Sequence, residues 1–260
     1  MALKHFKTQL EYFKISLKTA LDYRASFIIQ TVSMILNDIV WIIFWLIIFN
    51  KFQNINGWNL NDMILLYAVI LTSYGIGGVF YGNRRNISSI IVEGRLDYYL
   101  TLPKNILYHV IISKASWYSL GDLLLGIVLA IMFIPLVKAP LFILLIVLSA
   151  IIFISFDILT GSLAFFMENS EETSSTLREG LIAFSSYPLS IYTGLTKILI
   201  LFIIPAGFVS GIPVQLLKTF DATWLMYTIG FTIVLTIVAV SLFYIGLKKY
   251  ESGNQLYVRT

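Results

Sequence analysis

The chain has 260 residues, of which 58% are hydrophobic and only 12% charged, with a net charge of +4 and no cysteine. Soluble domains carry roughly 25% charged and 45–50% apolar residues, so a soluble fold is excluded; the absence of cysteine excludes disulfides, thiolate metal sites and cysteine nucleophiles. The basic excess lies in particular loops with no polar domain to present it, which excludes a nucleic-acid surface and reads as a membrane-orientation signal.

Residues 4–24 set Phe6, Leu10, Phe13, Leu17 and Leu21 at helical spacing, with Lys4, Lys7, Glu11, Lys14 and Lys18 between them. The pattern predicts an amphipathic helix over residues 1–25 on the membrane surface, its lysines among anionic headgroups. A solvated helix with a core-facing stripe is the alternative. The segment is charged throughout and lacks a continuous apolar core, unlike a cleavable signal.

Six spans are expected at 26–49, 61–82, 106–134, 141–166, 176–195 and 222–247, against the ~20 residues that cross ~30 Å of hydrocarbon. "GIGG" (75–78) lies inside the second span and predicts close helix packing rather than a phosphate loop. The fifth is the least regular. Between Leu181 and Leu217 the only charge is Lys197, yet Pro188, Pro205 and Pro213 punctuate the run. One span plus a re-entrant segment over 198–217 fits this better than a continuous helix, with Pro205, Gly207, Gly211 and Pro213 forming the turn. With the N-terminus inside, the inner segments hold thirteen Lys and Arg and the outer loops three, Lys51, Lys138 and Lys218. Both termini are therefore expected in the cytoplasm.

That orientation puts residues 84–104 in the cytosol. Asn83 is positioned to cap a helix whose apolar side is Ile87, Ile90, Ile91 and Tyr98. Gly94 interrupts it, Leu96, Tyr99 and Leu100 form a second apolar edge, and Pro103 stops it. A helix resting on lipid needs only the apolar side and the arginines. The break, the tyrosines and the proline suit insertion into a partner's groove equally well.

With "GRLDYYLTLP" (94–103) after the second span, "FIIPAGFVSGIP" (202–213) before the sixth and "GLKKYES" (246–252) after it, the chain resembles a permease subunit of the type-2 ATP-binding-cassette exporters. More narrowly it resembles their bacterial six-span branch. The resemblance runs along essentially the whole chain and rests on these pieces together. It implies an all-α, polytopic membrane protein over 1–260, with an amphipathic N-terminal helix, a cytoplasmic coupling helix over 84–104 and an extracellular-side re-entrant segment. By the same resemblance, Gly94, Leu96, Asp97, Leu100 and Pro103 would dock into a cleft of a separate ATPase subunit, present in two copies. A second permease chain, identical or related, would complete the exporter in the bacterial cytoplasmic membrane. The substrate, amphipathic or hydrophobic, would move outward. No cofactor is expected on this chain, ATP and magnesium belonging to the ATPase; the chain has no G-x-x-x-x-G-K-[ST] to cradle phosphates.

Asp38, Asp122 and Asp157 fall near the middle of expected spans. Ionised carboxylates are costly there, so each is expected to face protein or water. They are candidates for a translocation path or proton relay, or for interhelical hydrogen bonds. The second reading is favoured, because no intramembrane arginine or histidine supplies a partner. Lys197 is expected to snorkel to an interface. His5 and His109 are too far apart to suggest a metal site, and Glu168, Glu171, Glu172 and Glu179 read as a solvated acidic loop. An ion-coupled secondary transporter built on the aspartates would show two halves with paired broken helices. An enzyme acting on membrane lipid would need a nucleophile–base or metal set around them.

Overall fold

The computed structural model describes residues 2–103 and 105–251, with side chains from residue 7 onward. Lys104 of the expected coupling stretch, Ser252 of the expected C-terminal motif and the side chains of Lys4, His5 and Phe6 lie outside the described residues. Twelve α-helices make up the described chain: α1 (Ala2–Asp22), α2 (Arg24–Lys51), α3 (Leu60–Tyr81), α4 (Ile87–Val92), α5 (Leu96–Leu100), α6 (Ile106–Ile112), α7 (Ser119–Phe133), α8 (Ala139–Gly161), α9 (Ser170–Ser185), α10 (Gly194–Phe202), α11 (Ile212–Lys218) and α12 (Ala222–Leu247). No strand forms among the described residues. Among the described residues four helices are long and apolar enough to cross a membrane: α2, the arm Leu60–Val92 that joins α3 to α4 through a 3₁₀ turn, the stretch Leu136–Phe165 containing α8, and α12.

At the centre of the bundle is α3, and small residues let its neighbours approach. A Cβ on Gly75 would stand 2.6 Å from the backbone nitrogen of Leu123 in α7, and one on Gly126 would stand 2.5 Å from that of Thr72 in α3. Gly78 lies against Ser119 of α7, and the Gly78 carbonyl accepts a hydrogen bond from the Ser116 N–H at 2.9 Å. The "GIGG" run is therefore a packing seam, as expected. Lipid tails are as apolar as leucine, so close van der Waals contact along such seams, rather than hydrophobicity, draws spans together.

Two expected spans take a different form. The third is broken at 113–118, where polar residues end α6 before α7 begins. The break is fastened to α1: the Trp117 indole N–H donates to Ser16 O at 3.1 Å. In place of a continuous fifth span at 176–195, α9 stops at Ser185, a 3₁₀ turn and an extended step follow, and α10 and the Gly207–Lys218 helix meet at 76°. Pro205 and a π-helical turn at Gly207–Gly211 make the break. The freed backbone is covered by protein, as an interrupted helix at membrane depth requires: Ser149 Oγ of α8 donates to Val209 O at 2.8 Å. Ser210 Oγ in turn donates to Ser185 O at 2.6 Å. A side chain at Gly207 would run into Leu201 and one at Gly211 into Leu189, and Pro213 sits in the first turn of α11, where its missing N–H is harmless.

The bundle has two distinct ends. At the apical end Asn56 and Gly57, both with positive φ, turn the chain between α2 and α3. There Lys218 Nζ pairs with Asp62 Oδ2 at 2.6 Å, and Lys138 Nζ donates to Leu217 O. At the basal end α1, α4, α5, α6 and the last turns of α8 and α12 gather around a second apolar cluster that includes Ile87, Ile90, Leu96, Val110 and Phe243. The protein-facing side of α1 is Gln9, Tyr12, Phe13 and Ser16, rotated from the expected stripe. Leu10 and Leu21 are left exposed.

The seam gives a stability test. Gly75→Ala and Gly126→Ala force the α3 and α7 backbones apart and are expected to cost roughly 1–3 kcal/mol each, as overpacking does. Gly230→Ala, in open space on α12, should be neutral or slightly stabilising. Thermal unfolding in detergent checks this, and equal melting temperatures for all three would refute the seam.

Candidate functional site

The basal module is built outward from one turn. After α3, the 3₁₀ segment Gly82–Asn86 carries Asn83, Arg84 and Arg85 into the protein. Asn83 was expected to cap the next helix, but its Nδ2 instead donates to Val110 O at 3.0 Å and to Ser113 Oγ at 2.7 Å, holding the break before α7. The Ser113 hydroxyl is shared with Tyr99 of α5 at 2.9 Å. The chain then reverses at Gly94, whose φ of +70° suits glycine, and α5 leaves at an angle to α4.

This geometry divides the expected coupling residues. Leu96 is 0% exposed and belongs to the second apolar cluster with Ile87, Ile90 and Phe243. The expectation of a Leu96–Leu100 edge facing outward is therefore corrected: α5 is short and turns Leu96 onto α4 and the cluster beneath it. What faces solvent is Tyr98, at 61% exposure, with Leu100, Arg95, Thr101 and Pro103. Asp97 is half-buried and interacts with the Tyr250 hydroxyl of the chain beyond α12. Burial, and then the neighbouring Asp97 carboxyl, push that hydroxyl up to about 12. The exposed segment is thus tied to α12 through Tyr250 and Phe243, to α6 through Val110, and to α3 by chain continuity.

Beneath it lies an ion pair that the sequence did not reveal. Arg84 Nε stands 2.6 Å from Asp157 Oδ2 of α8, with side chains 0% and 3% exposed. The expectation that no intramembrane arginine partners the aspartates is corrected for Asp157, because Arg84 folds back under the end of α3 instead of pointing into a loop. Gly77 makes the room: a Cβ there would sit 3.1 Å from the guanidinium. The Tyr74 ring lies 5.5 Å from the Arg84 guanidinium and 5.8 Å from that of Arg85, a cation–π arrangement. Arg85 also donates to the Tyr118 hydroxyl, and Arg178 of α9 donates to the Arg85 carbonyl at 2.9 Å.

Asp38 of α2 and Asp122 of α7 are both buried, and their carboxyls lie beside each other between the two helices. The pair is a polar contact between two apolar helices. All three aspartates face protein and make interhelical contacts. Glu168, Glu171, Glu172 and Glu179 are exposed.

Breaking the ion pair should be costly. Asp157→Asn leaves a guanidinium buried without its counter-charge, and losses of about 3–5 kcal/mol are typical of such changes. A marked fall in melting temperature is expected, with a smaller loss for Arg84→Met combined with Asp157→Leu. A single Asp157→Asn variant that melts with the wild type would disprove the structural weight given to this pair.

Residues 35–254 match a protein family described as "ABC-2 family transporter protein". No curated protein and no solved structure shows significant similarity to the chain.

Proposed function

The chain belongs to the ABC-2 transporter family and is a multi-pass membrane protein, and from that premise we propose that it is the permease subunit of an ATP-driven exporter whose ATPase docks on α5. The carrying observation is the two-sided build of the α4–α5 segment. Its outer side offers Tyr98, Leu100 and Arg95 to a partner, while its inner side is anchored through Leu96, Asp97 and Asn83 to α6, α12 and the break before α7. A push on the outer side would therefore move span ends rather than bend a loop. Gly94 and Pro103 bound the docking segment, and Tyr98 takes the place first expected of Leu96. ATP and magnesium would sit on the partner, in two copies, with a second permease chain beside this one.

In this reading the chain traverses the bilayer six times: by α2, α3, α6–α7, α8, the broken run α9–α11, and α12. Both termini and the basal end would be cytoplasmic, and the Pro205–Pro213 break would open toward the outside. An apolar groove of about 740 Å³ between α3, α6, α8 and α12, with Tyr81, Tyr108, Tyr244 and Asn105 toward its basal end, favours an amphipathic or hydrophobic substrate. Transport outward would be a switch between two packings of the spans, biased by nucleotide on the ATPase.

The docking claim has a direct test. Burying each side chain at an interface is worth ~1.5–3 kcal/mol, so Tyr98→Ala with Leu100→Ala should weaken co-purification of the ATPase roughly ten-fold or more. Melting temperature should not change. Leu96→Ala should instead destabilise the chain itself, by about 2–5 kcal/mol. Undiminished ATPase binding and stimulated hydrolysis in the Tyr98/Leu100 variant would defeat the reading.

Orientation is tested separately. The chain has no cysteine, so single cysteines report cleanly. Gln53→Cys in the apical turn should react with an impermeant thiol reagent on intact cells, and Arg95→Cys only after permeabilisation. Labelling of Arg95→Cys in intact cells would invert the proposed topology.

A further inference from the structure

Next to the ion pair, the basal end holds a surplus of positive charge. A pocket of about 460 Å³ is lined by Arg85, Lys114 and Arg178, with Gln30, Ser116 and Tyr118 between them and no carboxylate on its wall. Arg178 is 9% exposed, and its Nη1 donates to the Arg85 carbonyl. Among the described residues, none of the three cations takes part in an ion pair. The nearest acids lie off the pocket wall, Asp157 in its ion pair with Arg84 and Asp122 beside Asp38; both reach Arg85 through space, and neither lines the pocket with Lys114 and Arg178. Arg178 is buried and Arg85 half-buried, with Lys114 exposed at the rim; a buried cation without a counter-charge is costly, and two guanidiniums beside an ammonium match the tetrahedral oxygens of a phosphate.

We propose that this pocket binds a phosphate group, independently of the transport reading above. The neighbouring cleft indicates how the ligand is carried. A second cavity of about 470 Å³ between α1 and α2 shares Gln30, Lys114 and Trp117 with the first, and its wall includes Ile15, Ala20 and Phe27. A polar pocket that opens into an apolar cleft beside a surface helix fits the phosphodiester of an anionic membrane lipid, with glycerol and the start of an acyl chain lying along α1. A free phosphate would use only the cationic pocket.

The experiment takes the purified full chain in a neutral detergent. Melting temperature is followed while adding phosphatidylglycerol in mixed micelles, phosphatidylcholine in the same micelles, or inorganic phosphate. Phosphatidylglycerol is expected to raise the melting temperature in a saturable way, while phosphatidylcholine does not. Lys114→Gln, at an exposed position, should need about ten-fold more phosphatidylglycerol for the same shift, the size of one lost charge-assisted contact. Arg178→Lys keeps the charge but loses the fork and should weaken the response in the same direction, with its melting temperature in lipid-free detergent confirming the fold. A saturable response to inorganic phosphate alone, lost in Lys114→Gln, would keep the phosphate site and assign it to a free ligand. The proposal is overturned if neither phosphatidylglycerol nor phosphate shifts the melting temperature, if phosphatidylcholine shifts it equally, or if both variants respond as the wild type does.

Discussion

The contact between Arg84 and Asp157 is the constraint around which the basal half of the molecule is arranged. A guanidinium and a carboxylate withdrawn from water each carry a desolvation cost of several kcal/mol, recovered only by close geometry. The surroundings supply it: Gly77 leaves the space, and the face of Tyr74 lies beside the charge. Because Arg84 must reach α8, the chain after α3 tightens into a 3₁₀ turn. That turn sets Asn83 toward Ser113, Arg85 toward Tyr118, and α4 against the end of α8, where a Cβ on Gly161 would meet Ile87 at 2.7 Å.

Two kinds of adhesion then share the work. Along α3 and α7 the helices are held by contact between small residues, which tolerates little change in spacing. At the basal end they are held by a web of polar links and one apolar cluster, which ties α5 to three other helices. The first makes a stiff centre. The second makes a stiff attachment between an exposed surface and the span ends.

Much of this could be read from residue order, and the remainder resists for physical reasons. Composition and the apolar runs gave the class, "GIGG" gave the seam, and Gly94 with Pro103 bounded the α5 segment. The Pro205–Pro213 interruption was visible because proline and glycine act locally. Arg84 was not visible. A basic residue just past an apolar run reads as a loop charge, and only a tertiary fold-back turns it toward an aspartate in another helix. Leu96 failed for a similar reason, since helical spacing ranks positions on a helix but does not say which side a five-residue helix turns inward. The breaks at 113–118 and after Ser185 were hidden in apolar surroundings. A few serines do not stop a hydropathy pattern, although Ser113, Ser116 and Ser185 each bond to another segment.

The Arg84–Asp157 contact also orders events during synthesis. Arg84 leaves the ribosome and reaches the bilayer before the helix that carries Asp157 exists. Until that helix inserts, the guanidinium has no counter-charge and must stay hydrated at the membrane surface. The tight turn after α3 can therefore close only once α8 is in place. The pair thus joins a residue from the first half of the chain to one that is synthesised seventy-three positions later.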